Sequence, residues 1–262
     1  DPASPTPTGK SALQFPQLYL GMIAIFVYVG VEVSTASNLP EYMKQYLSIE
    51  TSQAAPYISL FWASLMIGRW TSSAGAFDIS AGKKQMLRFF MPYIAFTVFL
   101  LVNAIANTDL SVFYPYAFVI LLLIAADILS KGNPARQLLI FSFCGIAALI
   151  IGMATTGLIS VYAFISVGLF CSTLWPCIFT LAISGLGKFT NQGSSYLIMM
   201  IMGGGLISWL QGWLAGPELM GIKASYIVGV FCFVYLAFYG WKASSILRKQ
   251  GIELDKSQAN NH

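Results

Sequence analysis

The chain has 262 residues, 57% of them apolar and 9% charged, with a formal net charge of +4, and its mean hydropathy is +0.72. These values exclude an ordinary soluble globular domain and predict an integral membrane protein. The apolar runs are continuous, not alternating at the two-residue period of an outer-membrane strand, so the expected fold is all-α, a polytopic transmembrane helical bundle.

The stretch from Asp1 to Lys10 is rich in Pro, Ser and Thr and lacks the apolar core of a signal peptide. Residues 1–14 therefore read as an interdomain linker, with the expectation that further chain precedes them. A transmembrane domain over 15–247 and a cytoplasmic tail over 248–262 follow. A helix needs about 20 mostly apolar residues to cross a hydrocarbon core roughly 30 Å thick. Eight spans meet that criterion: 15–38, 54–77, 88–106, 113–130, 138–156, 158–184, 195–215 and 225–244.

The first span carries Glu32 inside an otherwise apolar run. An acid there costs roughly 2.5–3.5 kcal/mol on insertion scales, so it faces protein or water and marks a functional-site hypothesis. Tyr28, Glu32 and Thr35 fall at i, i+4 and i+7 on one helix side, with Asn38 about a turn further on. Three roles stay open for Glu32: hydrogen-bond acceptor for a bound ligand, ion-coupling group, or structural hydrogen bond to a neighbouring helix. At 1.5 Å per residue it lies roughly 25 Å from Phe15, in the outer third of the span, unless the helix continues past Asn38.

The second span ends in Gly68-Arg69-Trp70, followed by Asp78 and then Lys83-Lys84. Arg69, Asp78 and Lys83 form a candidate charged cluster at this end of the span, with snorkelling and topology signalling as the alternatives. Spans three and four contain few polar residues besides Asn103 and Asp127 and form a hairpin over about 86–131. Asp127 is expected to cap its helix or pair with Lys131. In the sixth span Trp175-Pro176 predicts a kink, making Thr173, Trp175 and Phe179 candidate cleft residues; packing or lipid contact is the competing explanation. The seventh carries Gly203-Gly204-Gly205, suited to close helix approach, and Gln211 at i+7 from Gly204.

Basic residues in short loops are retained on the cytoplasmic side. With the N-terminus inside, Lys10, Lys83, Lys84, Arg88, Lys131, Arg136, Lys188, Lys242, Arg248, Lys249 and Lys256 are cytoplasmic, Lys44 and Lys223 lie outside, and Arg69 is in the membrane. That bias accounts for the net charge without nucleic acid. Cys144, Cys171, Cys177 and Cys232 all lie in spans and suggest no disulfide framework. His262 is the sole histidine, and no nucleophilic triad, phosphate loop or metal-ligand cluster is visible, which disfavours an enzyme.

Tyr28-Val-Gly-Val-Glu32 with Gly68-Arg69-Trp70, and Thr173-Leu-Trp-Pro-Cys177 running through Lys188 and Gly193-Ser-Ser195 to Met202-Gly-Gly-Gly205, resemble the fucose:proton symporter family of the major facilitator superfamily, glucose/galactose branch. Over roughly 15–250 the likeness is to the C-terminal half of such a transporter. Departures are Trp209 where proline is usual, Gly216 where an acid is common, and Asp78 one position early in a degenerate loop motif. The resemblance implies six spans in two inverted three-helix repeats, with the hairpin as a peripheral insertion. It also implies hexose transport by alternating access in a bacterial inner membrane, both termini cytoplasmic, with an N-terminal half as partner. The coupling ion would be H+ or Na+, with no other cofactor. Substrate residues would be Tyr28, Glu32, Thr35, Asn38, Thr173, Trp175 and Gln211, and Arg69, Asp78 and Lys83 would form an inner gate. A sugar-sensing or partner-binding membrane module is the alternative function.

Overall fold

The computed structural model describes residues 11–73 and 81–252. Among them the chain is helical: α1 (Pro16–Leu47), α2 (Thr51–Ser73), α3 (Ala81–Ile105), α4 (Tyr116–Ser130), α5 (Pro134–Ala154), α6 (Gly157–Cys171), α7 (Leu174–Ile183), α8 (Thr190–Met199), α9 (Gly203–Leu214), α10 (Gly221–Ser225) and α11 (Ile227–Lys249). Seven segments are long and apolar enough to cross a membrane. The eighth expected span is α2, a helix of 23 residues whose serines, threonines and Arg69 keep it below that hydropathy. It is sheltered between α3 and α6.

Local chemistry sets several boundaries. Pro16 opens α1 at a position where its missing N–H costs nothing. Asn133 caps α5 by accepting from the Arg136 N–H at 3.0 Å, with Pro134 as the first helical residue. The last three spans are each broken. α6 stops at Cys171 and α7 resumes at Leu174, because Pro176 has no N–H to donate to the Ser172 carbonyl. A 3-10 turn, Met200–Met202, joins α8 to α9, and Tyr226 separates α10 from α11.

α1 is the central element, packing on α2, α6, α7, α9 and α11. Exchanging α1 with α6/α7, α2 with α8/α9 and α5 with α10/α11 maps the main contacts onto one another: α1 on α9 becomes α6 on α2, and α1 on α11 becomes α6/α7 on α5. Both exchanged crossings are close backbone approaches. A Cβ at Gly203 would lie 2.1 Å from the Phe26 carbonyl oxygen, and one at Gly168 would lie 2.7 Å from that of Phe61. α1 and α6/α7 are the first and sixth spans and so run in opposite directions, which is the arrangement of inverted repeats.

The α3/α4 hairpin sits outside this frame, on α2, α5 and α6. Tyr116 is tied to Ser64 by a 2.7 Å hydrogen bond. Asp127 does not pair with Lys131. It is buried and faces Arg88 of α3, Nε to Oδ2 3.7 Å, whereas Lys131 is exposed and left-handed at φ 52. That conformation turns Lys131 off the helix face on which an i+4 pair would form.

Candidate functional site

Glu32 sits sixteen residues after Pro16 and fifteen before Leu47. The expected span ended at Asn38, which put Glu32 in the outer third. The helix instead continues through Pro40, bringing the carboxylate to its centre. Pro40 leaves the Ala36 carbonyl without its i+4 N–H, which is tolerated in membrane helices packed among neighbours; just before it the Asn38 amide donates to the Ser34 carbonyl at 2.8 Å.

Around Glu32 the geometry converges. Tyr28, one turn back, is buried and its hydroxyl donates to the Glu32 carboxylate. The edge of Trp175 meets the Tyr28 ring at 6.1 Å between centroids and 61°. On the open side Glu32 lines a cavity of about 270 Å³ with Trp62, Leu65, Met66, Arg69 and Trp70 of α2. This is slightly below the ~300–1,000 Å³ of complete small-molecule sites, consistent with one wall of a larger cleft. Trp62 is 45% and Trp70 37% exposed. A carboxylate and a guanidinium that can hold hydroxyls, beside indole faces that can take C–H edges, suit a polyhydroxylated ring.

The other expected substrate residues divide. Thr35 is buried on the same side of α1; its carbonyl accepts from the Tyr226 hydroxyl at 3.4 Å, and its own hydroxyl has no partner. Thr173 is buried at the α6/α7 break, also with an unpartnered hydroxyl. Asn38 is engaged within its own helix. Gln211 is fully buried on α9 with neither amide atom hydrogen-bonded. α9, which carries Gln211, meets α1 through Gly203 against Phe26 and Gly204 against Val29 and Val33. Gly205, by contrast, faces open space.

Of the three expected gate residues, Arg69 lines the Glu32 cavity and Lys83 is exposed in the first turn of α3. Asp78 lies outside the described residues. Sequence reasoning missed Trp62, Met66 and Trp70. Their spacing with Arg69, close to i, i+4, i+7 and i+8, was the available signal. Among the described acids in the spans, Asp127 is buried and Glu32 half-buried, whereas Glu41 near the end of α1 is exposed; Asp109, in the hairpin loop, is exposed and accepts from the Ser111 N–H at 2.9 Å, which holds its carboxyl below the usual range.

The chain is 32% identical over 242 residues to the glucose/galactose transporter of Brucella abortus, an alignment covering 92% of this chain and 45% of that protein. It is 28% identical over 239 residues to a putative glucose/galactose transporter of Helicobacter pylori, covering 90% and 46%. It is also 32% identical over 116 residues to the L-fucose-proton symporter of Haemophilus influenzae, covering 43% and 27%. Among solved structures it superposes on a major facilitator superfamily transporter, FucP, in the outward conformation, with TM-score 0.65 and 19% identity over 92% of this chain and 47% of that one. The chain is similar to glucose/galactose transporters and has the fold of half a major facilitator transporter. The chain spans about half the length of the curated relatives it matches. No family model matches it.

Proposed function

We propose that this chain forms the C-terminal wall of a hexose pathway, completed by an N-terminal half, and that the whole works by alternating access as an ion-coupled symporter. The observation that carries the proposal is Glu32 at the centre of α1, held by Tyr28 and opening onto the indole-lined cavity of α2. Glucose or galactose is the favoured substrate, because relatives matching nearly the whole chain carry those names. In this assignment the Glu32 carboxylate accepts sugar hydroxyls, Arg69 donates to others, and Trp62 and Trp175 bound the ring. The bias of Lys and Arg supports a bacterial inner membrane location with both termini cytoplasmic. The coupling ion is H+ or Na+.

Counterflow of labelled glucose or galactose in vesicles holding the complete transporter tests the pathway. Glu32→Gln is expected to lower sugar affinity by about tenfold, the loss of one charged hydrogen bond. Unchanged affinity removes Glu32 from the sugar site. A proton role for Glu32 predicts that Glu32→Gln also abolishes the pH dependence of uptake while leaving exchange intact; a retained pH profile assigns coupling elsewhere.

A further inference from the structure

Three helix ends meet at one edge of the bundle, away from the Glu32 cavity: the end of α1 at Tyr46, the end of α5 at Met153, and α10 with its flanks, Met220 to Ile227. Between them opens a second cavity of about 420 Å³, lined by Tyr46, Met153, Met220, Lys223, Ala224 and Ile227. Its walls are apolar apart from the Tyr46 hydroxyl, local backbone and one ammonium. Lys223 Nζ donates to the Thr155 carbonyl at 2.5 Å and lies 5.6 Å from the centre of the Tyr46 ring. Thr155 is the C-cap of α5, where carbonyls lack intrahelical partners and the helix dipole is negative. Both partners are uncharged. Among the described residues no carboxylate lies within ion-pair distance of Lys223; the pair the structure holds is Arg88–Asp127.

An ammonium has three donors, so Lys223 keeps donor capacity for a ligand after binding Thr155. The apolar segments Pro16–Leu47, Pro134–Ala154 and Gly221–Lys249 all begin or end at this cavity. That places it at the boundary between hydrocarbon and headgroups, where Lys and Tyr are interfacial anchors. A ligand fitting these walls carries one anionic group for Lys223 and an apolar body for Met153, Met220 and Ile227. A hexose finds too few hydrogen-bonding side chains here, and a free anion leaves the apolar walls unused.

We propose that this cavity is a binding site for an anionic phospholipid, the phosphate on Lys223 and the start of the acyl chains along the methionine walls. An ammonium between membrane helices makes a charge-assisted hydrogen bond to a phosphate, while apolar walls take the acyl chains. The site is independent of the sugar assignment, and its test does not read transport. The detergent-purified protein is incubated with equal phosphatidylglycerol and phosphatidylcholine, and retained lipid is counted by native mass spectrometry. Phosphatidylglycerol is expected to be retained preferentially and to raise the melting temperature. Lys223→Gln is expected to reduce that retention about fivefold, and Lys223→Arg to preserve it. Ala224→Trp fills the cavity while leaving the Lys223–Thr155 contact in place, so it is expected to abolish retention without lowering the lipid-free melting temperature. Equal retention of the two lipids, or unchanged phosphatidylglycerol retention in Lys223→Gln or Ala224→Trp, overturns the proposal. Displacement of the lipid by millimolar inorganic phosphate alone reassigns the site to a free anion and overturns it too.

Discussion

At the scale of single residues, burial and close approach decide more than residue type. Gly203, Gly204 and Gly205 are indistinguishable in sequence, yet a Cβ at Gly203 meets backbone, one at Gly204 meets two valine side chains, and one at Gly205 meets nothing within 4 Å. Backbone cannot step aside, so Gly203→Ala is expected to destabilise the protein by about 1–3 kcal/mol through overpacking. Gly205→Ala is expected to be neutral or to stabilise by up to ~1 kcal/mol, since alanine costs less helix entropy. Thermal unfolding of both variants in detergent checks the contrast. Trp62 is a second case at this scale. A tryptophan on a membrane helix is common, and only its place beside Glu32 distinguishes it from a lipid-facing ring. Trp62→Ala is expected to raise the hexose KM about fivefold, the worth of one ring contact, with folded yield unchanged.

Between elements, the hairpin shows how a local rule is overridden. Asp127 and Lys131 have helix-neighbour spacing, but the helix ends between them and Asp127 turns toward α3. Its partner Arg88 is 39 positions away in the chain, beyond the reach of any periodicity argument. Asp127 is buried and Arg88 partly exposed, so removing the carboxylate leaves a half-buried guanidinium uncompensated. Asp127→Asn is therefore expected to lower stability by about 1–3 kcal/mol, and Lys131→Ala to leave it unchanged, as read by melting temperature in detergent. The Ser64–Tyr116 bond ties the same hairpin to α2. Its loss in Tyr116→Phe is expected to cost about 1 kcal/mol.

For the whole molecule, the exchange of contacts between α1 and α6/α7 gives a two-fold plan in which both central spans are surrounded by others. α6/α7 is the most enclosed, with 78% of its apolar window buried, against 22% for Gly187–Leu214. The orientation proposed from basic residues predicts that cysteines replacing Ser48 and Lys188 are labelled from opposite sides by an impermeant maleimide, in a background with the four native cysteines replaced. Labelling from one side contradicts the helix count, and labelling from the reversed sides inverts the topology.

The sequence by itself determined the membrane class, the helical fold, nearly all the spans and the resemblance carried by Glu32 and Trp175-Pro176, because span length, composition and short motifs are local properties. Depth and neighbourhood were decided by tertiary structure. Glu32 became central because α1 runs on through Pro40 to Leu47, a continuation that packing against neighbouring helices permits against the proline's own preference. Trp62 and Arg69 became its neighbours because α2 lies against α1. Spans that are apolar nearly all round carry no amphipathic stripe to show which face meets which helix.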